Sequence, residues 1–334
     1  MFAYVNPNLR LMGNSKGMKE GVLVNMVDNK FKEVLFTKLI KRTYSPSDNH
    51  LIFANPRGGS TWLMEIIQSI TNEPVIWEPL DRRNRDKAFV ELNFGGLQYI
   101  PEEEKWPEAK DIFDRLFSGQ IMNHNTFRYS TIKQLLQSDS LLIKFCRGNA
   151  LLPWLVSNFT FKDKPIFMIR HPLAVVASQM RHGAWDYKFN GFKVPESPYN
   201  EIYAEHEPFL TSLTTKEELL VSMWCIANKG TLDHERNNKD WLTVNYEEFV
   251  VNPEKTVERI LESWGVSYHL EKISFTKNSV TTRVDSSAEV KGRLSQWQQN
   301  LDKAQIGRMM GVMEYFEIEQ YSYDPMPNII YNYG

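Results

Sequence analysis

Short apolar runs recur along the chain, and most lead into segments whose apolar residues fall three and four positions apart. The runs are Leu51–Phe53, Val75–Trp77, Leu141–Phe145, Ile166–Ile169 and Trp241–Asn245, with Gln120–Asn123 a shorter one. Apolar residues without polar alternation predict strands covered on both faces, as in a parallel sheet. Helical spacing marks Phe31–Ile40, Ser60–Thr71, Ile112–Phe117, Ala150–Phe159, Pro172–Met180 and Pro253–Trp264. In Ser60–Thr71 the repeat is carried by Leu63, Ile66, Ile67 and Ile70. Strands alternating with helices predict an α/β fold with right-handed crossovers and a parallel sheet.

Two stretches break the alternation. Gly183–Leu213 sets Trp185, Tyr187, Phe189, Phe192, Tyr199, Tyr203 and Phe209 among prolines and glycines, and Asn278–Gln299 is polar. In open α/β sheets ligands lie beyond the carboxyl ends of the strands, so such insertions are lid candidates. A packed surface excursion is the competing reading. The expected organisation is an extension over 1–49, one domain over 50–320 with lids near 183–213 and 278–299, and a tail over 321–334.

Composition narrows the class. The 334 residues are 42% hydrophobic and 24% charged, ordinary for a globular chain with a sizeable core. A net charge of −2 and a pI near 6.4 leave no global basic field, so neither nucleic acid nor membrane is an expected partner. Anion binding must be local. The cysteines Cys146 and Cys225 make neither a disulfide framework nor a thiolate metal cluster. The opening MFAYVNPNLRLMGNSKG lacks a signal pattern, and no apolar run approaches the roughly 18 residues of a membrane span. A cytoplasmic protein is expected.

The chemistry concentrates in Pro56-Arg57-Gly58-Gly59-Ser60-Thr61-Trp62, between the first strand and its helix. Two glycines permit a tight turn whose amides converge near a positive helix terminus, which makes an anion site. Arg57 adds a forked cation suited to paired phosphate or sulfate oxygens. A second candidate is Arg170-His171-Pro172, with Pro172 suited to the first helical position and Ser178 within the helix.

Together the two elements resemble the sulfotransferases that use 3′-phosphoadenosine-5′-phosphosulfate (PAPS). In that family the first loop cradles the 5′-phosphosulfate, and an Arg-x-Pro-x-x-x-x-x-Ser element grips the 3′-phosphate. Weaker matches follow in order: Glu78-Pro79-Leu80, Tyr246-Glu247-Glu248, and Lys291-Gly292-Arg293 with Trp297 beyond. The resemblance runs from about Leu51 to about Phe316. It implies a P-loop-like three-layer α/β fold with a parallel sheet flanked by helices. It also implies PAPS as co-substrate, with adenosine 3′,5′-bisphosphate as product, and a small-molecule or glycan acceptor. Donor contacts are implied for Arg57, Gly58, Gly59, Ser60, Thr61, Trp62, Arg170, Ser178, Tyr246, Lys291, Gly292 and Arg293. Trp62 and Tyr246 are equally readable as core aromatics.

Sulfuryl transfer is an in-line displacement helped by positioning and electrostatics. No metal is expected: the Gly-x-x-x-x-Gly-Lys-[Ser/Thr] of nucleotide triphosphatases is absent, and no Lys precedes Ser60-Thr61. Those absences weigh against an ATP-dependent kinase. A non-catalytic bisphosphate-binding module is the other alternative, and it would need no base. Cytosolic small-molecule members usually carry Lys where this chain has Arg57, so the loop is more similar to the carbohydrate, tyrosyl-protein and soluble bacterial branches. Two candidates exist for the base that takes the acceptor's proton, Glu78 and His124. Pro79 is expected to keep Glu78 extended and to help aim its carboxylate. The competing role for Glu78 is an ion pair with Arg82 or Arg83. Lys144, within Leu141–Phe145, is a candidate to neutralise the phosphosulfate.

Overall fold

The computed structural model describes residues 31, 33–35, 43–270, 275 and 290–330. Most of the 1–49 extension and of the Phe31–Ile40 helix lies outside the described residues. So do all of the 278–289 portion of the second expected lid and the side chain of Lys291.

Five strands form one sheet: β1 (His50–Ala54), β2 (Val75–Trp77), β3 (Leu142–Phe145), β4 (Ile166–Ile169) and β5 (Leu242–Asn245). Their order is β2-β3-β1-β4-β5 and every pairing is parallel. All strand residues are buried, which is why the sequence shows continuous runs instead of alternation. Alternation survives in where the residues go. Ile52, Ala54, Ile166 and Met168 enter one core, and Leu51, Phe53, Phe167 and Ile169 enter the other.

The longer helices are α1 (Ser60–Thr71), α2 (Pro107–Phe117), α3 (Leu152–Asn158), α4 (Pro172–Arg181) and α5 (Lys216–Leu232). They continue as α6 (Tyr246–Val251), α7 (Pro253–Ser263), α8 (Val290–Asn300) and α9 (Lys303–Tyr315). Helices α1 and α7 cover one sheet face with Leu63, Met64, Ile67, Val257, Ile260 and Leu261. Helices α2 to α5 and α9 cover the other. This is the expected three-layer α/β arrangement.

Three differences have physical causes. Gln120–Asn123 is not a strand: the Asn123 side chain accepts from the amides of Asn125 (3.0 Å) and Thr126 (3.2 Å), closing an Asx turn. Helix α2 starts at Pro107, five residues before its apolar pattern, because proline suits that first position. The 17-residue α5 has no apolar stripe to read, since burial extends around most of its circumference. Within Gly183–Leu213, Trp185, Phe189, Phe192, Tyr199 and Phe209 pack against the larger core.

A buried charge cluster anchors the amino end of β1. His50 Nδ1 lies 2.8 Å from Glu73, Nε2 lies 3.2 Å from Asp163, and the ring stacks 4.1 Å from Trp264. Burial alone pushes the imidazole pKa down, but the two carboxylates outweigh it and hold it above 6.5. Glu73 is correspondingly lowered, with the His50 bond overcoming its burial. The His50 contribution is therefore fully present below its unfolded pKa and fades as pH rises through the raised value. The Glu73 contribution fades as pH falls through its lowered value. His50→Gln should cost about 3 kcal/mol near pH 6, and the deficit should shrink at alkaline pH. Urea denaturation from pH 5 to 9 checks this; a deficit that does not vary with pH would remove the ionic account.

Candidate active site

β1 lies between β3 and β4, whose flanking connections run to opposite edges of the sheet. A crevice at such a switch point is where open α/β sheets bind ligands. The turn after β1 is built for close approach. Arg57 has φ 73°, the Gly58 amide donates to Asn55 O at 2.8 Å, and Gly59 has φ 92° as the N-cap of α1. A Cβ on Gly59 would stand 2.3 Å from the Tyr246 ring. Glycine is needed there on both counts. The first amides of α1 have no intrahelical acceptor, so Ser60 and Thr61 open a natural anion site.

The second predicted element meets the first directly. Arg57 Nε donates to Ser178 Oγ at 3.0 Å, Arg170 Nη1 donates to Arg57 O at 3.0 Å, and Gln179 Nε2 donates to Pro56 O at 3.1 Å. The Arg170 guanidinium lies 4.3 Å from the Tyr246 ring centre. Tyr246 thus has Gly59 and Arg170 as neighbours. Trp62 is partly exposed and packs at 4.1 Å on Phe249. Helix α8 packs on α4 and carries Gly292 and Arg293, both partly buried. Its Trp297 packs 4.7 Å from His171.

Supports missed in the sequence lie behind Arg170. His171 Nδ1 accepts from the Leu173 amide at 3.2 Å, so Nε2 carries the proton and donates to Ser322 O at 3.0 Å. Burial pushes its pKa down to about 4, which keeps this ring neutral. Glu247 accepts from the His171 amide at 2.9 Å and from Tyr321 at 3.1 Å, and burial raises its pKa to about 7. A glutamate in a Tyr-Glu-Glu run carries no mark of burial, so only the fold reveals it.

Across β1, the ends of β2 and β3 hold the other half. Trp77 is registered with Lys144, and the Lys144 ammonium donates to Glu78 Oε1 at 2.7 Å and to Thr61 Oγ1 at 3.1 Å. Only 1% of Lys144 is exposed. Burial disfavours its charge, but its neighbours Cys146 and Glu78 together more than offset this and the ammonium stays protonated. The Cys146 thiol lies 3.7 Å from Ser60 Oγ, and burial raises its pKa to about 12. It is a neutral thiol.

Glu78 departs from expectation in its backbone: its φ is 47°, not extended. Its ion pair is with Lys144, which is neither of the partners, Arg82 or Arg83, of the competing reading. The left-handed turn is held by Glu78 N–H to Lys144 O (2.8 Å), and Glu78 O accepts from Asp81 N (3.1 Å) and Asn84 Nδ2 (3.1 Å). Several bonds thus fix a backbone conformation that a lone glutamate avoids. His124 is placed elsewhere: its amide and Nδ1 reach Glu33 at 2.8 and 3.1 Å. Among the described residues, no group of three or more His, Cys, Asp or Glu side chains is arranged to hold a metal. Nor is any helix of the described residues long and apolar enough to cross a membrane.

The fold is a parallel α/β sheet that brings the two predicted elements together at its switch point. The family model for the sulfotransferase domain matches residues 47–322, and the chain belongs to that family. Sulfotransferase activity follows from this membership. No curated protein sequence matches the chain significantly. Among solved structures, the chain is similar to the sulfotransferase domain of the Synechococcus PCC 7002 olefin synthase. That match has 17% identity and a TM-score of 0.41, covering 82% of this chain and 96% of that one. The sulfotransferase domain from the curacin biosynthetic pathway has 14% identity and a TM-score of 0.43, with coverage of 81% and 97%. Mouse sulfotransferase SULT7A1, complexed with PAP, has 11% identity and a TM-score of 0.41, with coverage of 88% and 91%.

Gly59→Ala should lose about 1–3 kcal/mol of stability, because it forces a strained φ and drives a methyl into Tyr246. Denaturant titration tests this; a change within about 0.5 kcal/mol, the range of ordinary surface substitutions, would show the turn to be slack.

Proposed function

We propose that the protein transfers a sulfuryl group from PAPS to a hydroxyl or amine of an acceptor. The observation carrying this reading is the direct linkage of the two anion elements through Arg57, Ser178 and Arg170, beside the Glu78–Lys144 pair. Arg170 and Ser178, with Arg293 and Lys291 of α8, take the 3′-phosphate. Trp62 and Tyr246 flank the nucleoside. Residues Arg57 to Thr61 hold the phosphosulfate.

In the reaction the acceptor oxygen or nitrogen attacks sulfur as Glu78 takes its proton. The bond between sulfur and the bridging oxygen breaks, and that oxygen leaves with the electron pair on adenosine 3′,5′-bisphosphate. Arg57, the first amides of α1 and Lys144 meet the developing charge. Arginine stays protonated, so Arg57 stabilises the leaving oxygen without donating to it. Lys144 bonds both Glu78 and Thr61, which ties the base to the cradle. No divalent cation is needed, because these groups supply the positive field.

Two measurements test the reading. Adenosine 3′,5′-bisphosphate should bind at least about 30-fold more tightly than AMP, from the roughly 2–5 kcal/mol that a desolvated charged contact is worth. Calorimetry showing equal affinities would remove the 3′-phosphate role of Arg170 and Ser178. Separately, Glu78→Gln should lower turnover by about 10²–10⁴ while bisphosphate affinity holds. It should also lower stability by about 3 kcal/mol, since Lys144 loses its counter-charge. If Glu78→Gln stays active and His124→Ala does not, the base is His124.

A further inference from the structure

Three buried amides lie behind the β1–α1 turn, and neither the donor contacts nor the base accounts for them. Asn55 is the first residue after β1, Asn149 opens the short helical turn Asn149–Leu151 beyond β3, and Asn228 lies on α5. All three are buried. Asn55 Oδ1 accepts from Asn228 Nδ2 at 2.7 Å and from Asn149 Nδ2 at 3.2 Å. Asn149 Nδ2 also donates to Asn228 Oδ1 at 2.8 Å, which closes the ring. The ring is tied outward as well: Asn228 Nδ2 donates to Trp224 O at 2.6 Å, and Thr231 Oγ1 donates to Asn149 O at 2.8 Å. Two donors on its oxygen fix which way the Asn55 amide faces.

Stability alone does not call for this arrangement. Asn149 Oδ1 is buried with no protein partner among the described residues, which is unfavourable, and aliphatic side chains would fill the same space without that penalty. What a hydrogen-bonded ring adds is direction.

The turn it abuts needs direction. Asn55-Pro56-Arg57-Gly58 closes with the Gly58 amide on Asn55 O at 2.8 Å, and Arg57 stands third with φ 73°. Proline second and a positive φ third is the type II pattern, whose third position normally falls to glycine. An arginine keeps that conformation only where its surroundings over-determine it. Gln179 and Arg170 take the carbonyls of Pro56 and Arg57 from the side of β4 and α4. The amide ring holds the first corner of the turn from the side of β3 and α5.

We infer that Asn149 and Asn228 are positioning residues for sulfuryl transfer: through Asn55 they keep Arg57 in its left-handed conformation, so that its guanidinium and the amides after it converge on the 5′-phosphosulfate. The inference rests on the sulfotransferase reading.

Calorimetry comparing adenosine 3′,5′-bisphosphate with adenosine 3′-phosphate, which lacks the group the turn holds, tests it. In the parent the 5′-phosphate should tighten binding by at least about 30-fold. Asn228→Ala should cut that advantage about tenfold, for one lost directional bond, and leave adenosine 3′-phosphate affinity within about twofold. A merely structural role would lower the melting temperature and leave the ratio of the two affinities as in the parent. Asn55→Ala should have the same effect, and adding Asn228→Ala to it should remove nothing more, because Asn228 acts through Asn55. Asn228→Asp keeps the shape and supplies a second readout should the alanine variant not fold. Protonated, its carboxyl donates to Asn55 Oδ1 and accepts from Asn149; ionised, it sets two acceptors against each other. Burial raises the pKa of such a carboxyl. Bisphosphate affinity relative to the parent should therefore hold at acid pH and fall as pH rises through that value. An unchanged 5′-phosphate advantage in Asn228→Ala, or an unchanged relative affinity of Asn228→Asp at every pH, overturns the positioning role. Failure of the parent to bind the bisphosphate overturns the sulfotransferase reading, and the positioning role with it.

Discussion

The phenol ring of Tyr246 occupies the space that any side chain at position 59 would need, and much of the crevice is arranged around that contact. The ring lets the β1–α1 turn approach the β5–α6 junction with backbone instead of side chain. Beside the same ring lies Arg170, whose guanidinium then reaches back to the Arg57 carbonyl. Three strand ends are thereby locked together at one point: β1 through Gly59, β4 through Arg170 and β5 through Tyr246. Short strands of four or five residues give little rigidity alone. Cross-linking their ends fixes the β1–α1 turn against its neighbours.

Lys144 plays the corresponding part on the other side of β1. A buried ammonium is costly unless paired and hydrogen-bonded, and Glu78 and Thr61 provide both. The pairing also explains the backbone at Glu78. To bring its carboxylate back over the end of β3, the chain turns through a left-handed conformation, which the Asp81 amide and the Asn84 side chain fasten. Strain at one residue is balanced by removing a larger electrostatic penalty at another.

These two halves were unequally legible. Lys144 stands out in Leu141–Phe145 as the one charged residue of an otherwise apolar run. The Arg57–Thr61 turn is written in its own glycines, and five of the six expected strands appear with ends within a residue. Other features have no local signature. Helix α5 is apolar on most sides, so periodicity says nothing about it. Asn123 caps a turn that an apolar count takes for a strand. Proline statistics favour an extended Glu78, and only the ion pair across to β3 overrides them. His171 and Glu247 matter because of a segment some 75 to 150 positions further along, a distance no local pattern spans.

That distant segment carries a consequence for the chain as a covalent object. Tyr321 and Ser322 fasten the buried Glu247 carboxyl and His171 imidazole from behind, directly adjoining Arg170 and Tyr246. The last residues matched by the family model are thus part of the wall behind Arg170 and Tyr246. Trimming the polypeptide ahead of residue 321 would strip two buried polar groups of their partners and let the far side of the crevice relax. Residues far along the chain, and not only those facing the crevice, thus set how firmly Arg170 and Tyr246 are backed.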